Sequence, residues 1–321
     1  MKRRNFLKNS AVLTSASLAG LTLYSCNPTT QNRKVPGPND TINLGLIGLG
    51  MRARQLINEF HRIPRVKFLA ICDIDDQRIE RAATMINTHH GTSAPPIDTY
   101  KDFQEILARE DIDGVIVATP DHWHAIITVM AIKSGKDVYC EKPVTHTIEE
   151  GRAVIEAAEK YERIVQVGSQ QRSHEAFRDA VNYVRSGYIG DVKVVKEQSS
   201  PRFPIPFDKK TIAPPAYMDW DRWMGPSAYH DYNEILCPDV SVHTFPAWRA
   251  YREWGGGGIA DLGAHMFDIA QWGLDMDGSG PVEVLLPNTD GVESLSFKYA
   301  NGVMMKKEDF GMGGMSVLFE G

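Results

Sequence analysis

Cysteine is scarce in this chain: Cys26, Cys72, Cys140 and Cys237 are four among 321 residues. None forms a C-x-x-C pair and the first lies in a leader segment, so a disulfide scaffold is excluded and packing does not depend on bridges. Basic runs are missing beyond the first few residues, and the formal net charge is −6. That leaves no electrostatic footprint for DNA or RNA, and no nucleic-acid partner is expected. Nor is there a leader stretch long enough for a stable span: the mildly apolar run from Ala11 to Leu23 is too short to cross a bilayer. His122, His124, Cys140 and His146 fall near one another but match no zinc or iron ligand spacing, so no metal is expected. What is present is ordinary globular material. Hydrophobic residues make up 42% and charged residues 24%, enough to bury a core. The length suits about two domains.

The first 26 residues have the layout of a targeting segment, with Lys2, Arg3, Arg4 and Lys8 ahead of the apolar stretch and Cys26 behind it. Arg3-Arg4-Asn5-Phe6-Leu7-Lys8 resembles the bacterial twin-arginine export signal, which serves proteins that fold before crossing the membrane. The alternative is an ordinary secretory peptide that carries two arginines. Leu23-Tyr24-Ser25-Cys26 resembles a lipoprotein cleavage site, which would make Cys26 a lipid-anchored first residue. Residues 27 to 40, with Pro28, Pro36, Gly37 and Pro38 among polar neighbours, read as a tether. The expected location is the periplasm or the outer face of the cell envelope.

From Thr41 the pattern changes to short apolar runs alternating with amphipathic stretches, which signals βαβ units around a doubly wound parallel sheet. The first expected strand, 42–48, runs into Gly48-Leu49-Gly50-Met51-Arg52-Ala53, a match to the G-x-G-x-x-G/A dinucleotide fingerprint. Gly48 permits the tight turn, Gly50 lets the backbone approach a pyrophosphate, and Ala53 lets the next helix pack closely on the sheet. The helix start at Met51 and Arg52 then faces the phosphates. A second strand, 66–71, leads to Asp73, whose carboxylate would bind a ribose 2′-hydroxyl. Together these favour NAD over NADP, although Arg52 and Arg54 keep a 2′-phosphate in play. Strand 115–118 leads into Thr119-Pro120-Asp121-His122-Trp123-His124 and a helix to about Ser134, and strand 137–140 leads into Glu141-Lys142-Pro143. Loops at the carboxyl ends of such strands line the ligand crevice, which makes Thr119, Pro120, His124, Glu141 and Lys142 candidate cofactor contacts.

The order of the fingerprint, Ala118-Thr119-Pro120, Gly135-Lys136 and Glu141-Lys142-Pro143 resembles the Gfo/Idh/MocA oxidoreductase family over nearly all of the chain after residue 40. The resemblance implies a Rossmann-type α/β domain, a second α+β domain, and a Lys142 that sits beside nicotinamide and substrate. It also implies a cis peptide before Pro143 that aims Lys142 into the crevice. A lysine placed there can stabilise developing oxyanion charge, or relay a proton if burial lowers its pKa. The plainer alternative is a Glu141–Lys142 charge pair on an exposed loop.

Helices are expected at 148–161 and 175–186, with a strand at 164–168, so the boundaries read 1–40 for signal and tether, 41–170 for the nucleotide domain and 171–321 for the substrate domain. Strands at 192–198, 282–286, 294–299 and 303–309, with Asn301-Gly302 as a hairpin turn, predict an open, mainly antiparallel sheet. Trp220, Trp223, Trp248 and Trp254 suit either a sugar face or core packing. Asp261 and His265, four apart on an expected helix, share one face and can address one substrate hydroxyl. The D-x-x-x-H pattern resembles the family's catalytic helix, where histidine accepts a substrate proton and Asp261 would orient the substrate or stabilise the imidazolium. The plainer alternative is a helix cap and a core histidine. Asp268, one turn further on, reads as structural.

These readings predict an NAD-dependent enzyme, a homo-oligomer acting on a sugar, cyclitol or glycoside with Lys142, Asp261 and His265 as catalytic residues. Free NAD is scarce outside the cytoplasm, so the cofactor is expected to stay tightly bound and to be restored within each turnover. A redox-neutral glycosidase is the alternative enzyme, and a non-catalytic nucleotide- or carbohydrate-binding protein is the alternative outside enzymes. Residues 316–321 read as a strand and turn in progress, which predicts a chain shorter than its relatives.

Overall fold

The computed structural model describes residues 37, 39–91, 95–199, 211–243, 245–288 and 291–321. The readings that rest on Arg3, Arg4 and Cys26 lie outside the described residues. The chain divides into two compact units, Met1–Gln166 with Phe207–Trp248, and Val167–Pro206 with Arg249–Gly321.

The first unit is built on a sheet of β1 (Ile42–Ile47), β2 (Val66–Cys72), β3 (Asp98–Tyr100), β4 (Gly114–Val117), β5 (Asp137–Cys140) and β6 (Val165–Val167), in the order β3-β2-β1-β4-β5-β6. Pairs β1–β2, β1–β4, β2–β3 and β4–β5 are parallel. The strand order reverses between β1 and β4, and in such sheets the crevice outside the strand ends at that point takes the ligand. Strands this apolar are covered on both faces. Ala53, Leu56 and Ile57 of α1 (Met51–His61) and Ala82 and Ile86 of α2 (Asp76–His90) pack on one side. Ile106 of α3 (Phe103–Leu107), Ala131 and Ile132 of α4 (Asp121–Lys133) and Ala157 of α5 (Ile148–Tyr161) pack on the other. Asp75 caps α2, and a Thr147–Glu150 capping box starts α5.

Past β6 the chain forms α6 (Glu175–Arg185) and β7 (Val194–Gln198) of the second unit, then returns to the first with α7 (Trp220–Met224). This return differs from the expected single domain over 171–321. Backbone bonds explain it: Asp219 N–H donates to Ile74 O and Asp76 N–H to Tyr217 O, both at 3.0 Å. Trp223 O also accepts from His122 Nε2 at 3.0 Å and Trp123 Nε1 at 3.1 Å. Trp220, Trp223, Trp248 and Trp254 are all buried, so they serve core packing and offer no exposed platform for a sugar.

The second unit carries α8 (Ala264–Gly273) and a sheet completed by β8 (Glu283–Leu285), β9 (Ser296–Lys298), β10 (Met304–Lys307) and β11 (Ser316–Glu320), in the order β11-β7-β10-β9-β8. Only β7–β10 is parallel among its pairs, so the expected mainly antiparallel sheet is present. Asn301-Gly302 makes the β9–β10 turn, with Gly302 at φ +88°. Val195, Ala270, Tyr299 and Met305 form the core between this sheet and α8. No described helix is long and apolar enough to cross a membrane.

Candidate active site

The glycine turn of the first unit is jammed between strand ends. Gly48 takes φ +87°, and a Cβ there would lie 2.7 Å from the backbone of Ala118 and Thr119. Its N–H donates to Cys72 O at 2.9 Å. Gly50 is the opposite case: a Cβ would meet no atom within 4 Å. Gly50 is also the N-cap of α1, with no side-chain cap and no acidic residue in the first turn. The first N–H groups of α1, at Met51 and beyond, therefore face an open cradle that suits a diphosphate. Ala53 is buried against the sheet.

Asp73 stands beside this turn. Its Oδ2 accepts from Leu49 N–H at 2.6 Å and its Oδ1 from Asp75 N–H at 3.1 Å. Burial pushes its carboxyl above the ordinary value, with Arg78 and the Leu49 N–H pulling the other way. Arg78 ion-pairs Asp75 at 3.2 Å and donates to Pro238 O at 2.6 Å. Arg81 donates to Leu49 O at 2.8 Å and to Val240 O at 3.4 Å. The two guanidinium groups thus fasten residues 238–240 beside the glycine turn, next to the Asp73 carboxylate expected to meet a ribose hydroxyl. Sequence reasoning missed both arginines, since the Pro238 and Val240 carbonyls that they reach lie about 160 residues away and leave no local signal.

The loops after β4 and β5 supply the rest. Thr119 Oγ1 is buried without a hydrogen-bond partner, and Pro120 is the N-cap of α4. His124 is buried with its ring nitrogens at Thr119 O and Pro143 O. Glu141 is buried; its Oε1 takes Arg52 Nε at 2.7 Å and Tyr139 OH at 3.2 Å, and its Oε2 takes Lys142 N–H at 3.3 Å. Arg52 and Glu141, both expected at the cofactor, are brought together as an ion pair that ties α1 to the end of β5. The guanidinium pKa is raised, because Glu141 outweighs the desolvation that would lower it. Lys142 is half-buried and precedes a cis peptide to Pro143, as the resemblance implies. The open cradle at Gly50, the orphaned Thr119 hydroxyl and the acceptor at Asp73 fit NAD.

Asp261 and His265 belong to the second unit, whereas Lys142 belongs to the first. The helix expected around Asp261 is present, but its first turn, Ile259–Gly263, is π-helical before α8 takes over. Such turns are frequent at functional sites. Gly263 fits there because a Cβ would press on Ser199 Oγ at 3.2 Å and on the Phe267 ring at 3.1 Å. Asp261 and His265 are both buried, and Asp261 Oδ2 ion-pairs Arg249 Nε at 3.1 Å. The sequence did not reveal Arg249 as the partner of Asp261, because nothing in its irregular, aromatic-rich stretch marks it. Asp268 is bound by Arg172 at 2.7 Å, in keeping with its structural reading. No group of three or more His, Cys, Asp or Glu among the described residues could hold a metal ion.

Comparison with known proteins agrees with this fold. The GFO_IDH_MocA model, described as an oxidoreductase family with an NAD-binding Rossmann fold, matches residues 42–169. The corresponding C-terminal alpha/beta domain model matches residues 207–309. Among curated relatives, a "Glycosyl hydrolase family 109 protein" of Shewanella pealeana is 27% identical over 203 residues, covering 60% of this chain and 44% of the relative. A "Glycosyl hydrolase family 109 protein 2" of Shewanella sp. (strain ANA-3) is 30% identical over 201 residues, 59% of this chain and 44% of the relative. The chain thus spans less than half the length of these relatives. Two solved structures share the fold. The WlbA dehydrogenase of Bordetella pertussis, in complex with NADH and UDP-GlcNAcA, is 17% identical with a TM-score of 0.62, over 89% of this chain and 73% of that one. The myo-inositol 2-dehydrogenase of Lactobacillus plantarum is 18% identical with a TM-score of 0.60, over 88% and 74%. The chain belongs to the Gfo/Idh/MocA oxidoreductase family, with an NAD-binding Rossmann domain at its amino-terminal side.

Proposed function

We propose that this protein oxidises or reduces a hydroxyl-bearing carbon of a sugar, cyclitol or glycoside. The observation that carries the reading is the half-buried Lys142, set at the end of β5 and joined through Glu141 and Arg52 to the helix that opens the nucleotide cradle. NAD, when bound, supplies a reversible hydride acceptor at nicotinamide C4. Residues Gly48 to Ala53 and Asp73 would hold its diphosphate and ribose, and Thr119 offers a buried hydroxyl to the same crevice. His265 takes the substrate hydroxyl proton, a task that suits an imidazole near neutral pH. The Lys142 ammonium stabilises the developing oxyanion. Asp261, anchored by Arg249, orients the substrate.

A second reading is favoured by the relatives named glycosyl hydrolases. Oxidising one sugar hydroxyl to a ketone acidifies the adjacent C–H bond. Loss of that proton expels the aglycone, water adds to the resulting double bond, and re-reduction restores the hydroxyl. No pair of catalytic carboxylates is needed. The export and anchor proposals rest on Arg3, Arg4 and Cys26 alone and place the protein in the periplasm or on the envelope; cell fractionation and the mass of the mature N-terminus check them. A homo-oligomer is proposed as well, and light scattering would measure it.

The test is incubation of purified protein with 4-nitrophenyl glycosides and no added NAD. Aglycone release supports the redox-neutral cycle, while stoichiometric absorbance at the NADH band without release supports a simple dehydrogenase. Lys142→Ala and His265→Ala should each lower turnover by about 100-fold or more while bound NAD is unchanged. Full activity in both variants would remove the roles assigned to them.

A further inference from the structure

His124 on α4 is almost wholly buried, with 1% of its surface exposed. Its Nδ1 lies 2.7 Å from Pro143 O and its Nε2 lies 2.8 Å from Thr119 O. A carbonyl oxygen only accepts, so both ring nitrogens must donate, and a ring with two N–H donors is an imidazolium. A neutral ring would set a nitrogen lone pair against a carbonyl lone pair at under 3 Å, deep in a medium that screens little.

We propose that His124 is a permanently charged positioning residue, an imidazolium that staples the loop after β4 to the Lys142–Pro143 turn after β5 and so fixes the backbone from which Lys142 acts. The proposal rests on the reading of Lys142 given above. It changes the part expected of His124, since neither ring nitrogen is left to hydrogen-bond a dinucleotide. The groups that face the ring are the Cys140 sulfur of β5, the Asp121 carboxylate at the start of α4 and the two loop carbonyls. Burial works against the charge, but Cys140, Asp121 and the Pro143 carbonyl outweigh it and hold the ring pKa up at about 10. The folded-state pKa is thus raised. The contribution to stability is complete below the ordinary imidazole value of about 6.5 and is lost as pH rises toward 10.

Ring-15N histidine labelling of the whole chain tests the charge directly, with the His124 resonance assigned by its loss in His124→Gln. Two protonated nitrogens at about pH 8.5, well above the ordinary imidazole value, are expected; one bare nitrogen at that pH overturns the proposal. Positioning is tested with His124→Leu, which removes both donors, and His124→Lys, which keeps a charge and donors. The backbone amide resonances of residues 141, 142 and 144 should move in the leucine variant and return toward wild type in the lysine variant. The rate with 4-nitrophenyl glycosides at saturating substrate, read as aglycone release or as absorbance at the NADH band, should fall by about tenfold or more for leucine, with the half-saturating concentration nearly unchanged and NAD still bound. Unmoved amides in the leucine variant overturn the positioning role even if the ring is charged. Failure of the Lys142 reading looks different: Lys142→Ala keeps its activity while the His124 ring stays doubly protonated.

Discussion

Gly48 and Gly50 stand two residues apart and answer to different physics. Gly48 is demanded by the protein itself: an L side chain at φ +87° costs roughly 1–2 kcal/mol, and its Cβ would meet backbone atoms that cannot step aside. Gly50 has extended backbone, φ −69° and ψ −163°, that any residue adopts, and empty space where its side chain would go. Gly48→Ala should therefore lower the melting temperature of the NAD-free chain by several degrees, roughly 2–4 °C per kcal/mol, and weaken NAD binding as a consequence. Gly50→Val should leave that stability within about 0.5 kcal/mol, yet raise the Kd for NAD by about 100-fold, because the isopropyl group fills the diphosphate cradle. Calorimetry of NAD-free protein and titration with NAD separate the two; a destabilised Gly50→Val that still binds NAD would reverse the assignment. Such residues were legible because the fingerprint packs its meaning into six consecutive positions. The Arg52–Glu141 pair was not, since the two residues are 89 positions apart and each alone has the look of a solvated charge.

At the scale of elements, α8 is held to the rest of its unit by a charged clamp. Arg172, in the turn Gln170–Ser173, reaches Asp268 at 2.8 and 2.7 Å and Asp277 at 3.0 and 2.8 Å, and its guanidinium lies 5.4 Å from the Trp272 ring centre. Bidentate geometry on two carboxylates makes this stronger than a lone surface pair. The Arg172 guanidinium holds the Asp277 carboxyl below its ordinary value against a smaller opposing effect of burial. A depressed carboxylate pKa stabilises the fold above the unfolded value, about 3.9, and that contribution disappears as pH falls through the lower folded value. Arg172→Met should cost about 1 kcal/mol, discounted because Asp277 is 46% exposed, and the gap should be level above pH about 5 and close in stronger acid. Urea midpoints of both proteins across that range are the measurement, and a gap that widens in acid would contradict the clamp. Among the elements, Ile148–Tyr161 was readable to its ends because a capping box and one clear apolar stripe mark it. The π-helical turn before α8 was not, because over a single turn its spacing does not differ visibly from that of an ordinary helix.

For the molecule as a whole, alternation of strands and helices disclosed the parallel sheet, and the Asn301-Gly302 turn disclosed the antiparallel one. The interleaving of the two units stayed hidden. Residues 211–248 are irregular and rich in proline and aromatics, and no periodicity tells which sheet such a segment covers. In the fold they complete the first unit: Trp220, Trp223 and Met224 are buried, and His122 and Trp123 find their carbonyl partner at Trp223. Burying one tryptophan removes about 200 Å² from water, worth roughly 5 kcal/mol at about 25 cal/mol per Å² and less against a compact unfolded state. Losing two is comparable with the whole stability of a domain, about 5–15 kcal/mol. A fragment of residues 41–170, the span that sequence boundaries alone would recommend, should therefore bind a hydrophobic dye and unfold without a cooperative transition. The same fragment joined through a flexible linker of about 20 residues to residues 211–248 should regain a sigmoidal urea transition, because a loop that long adds little closure entropy compared with the apolar burial restored. If the short fragment unfolded cooperatively at the midpoint of the joined one, the returning segment would be a passenger on the nucleotide domain and not part of its core.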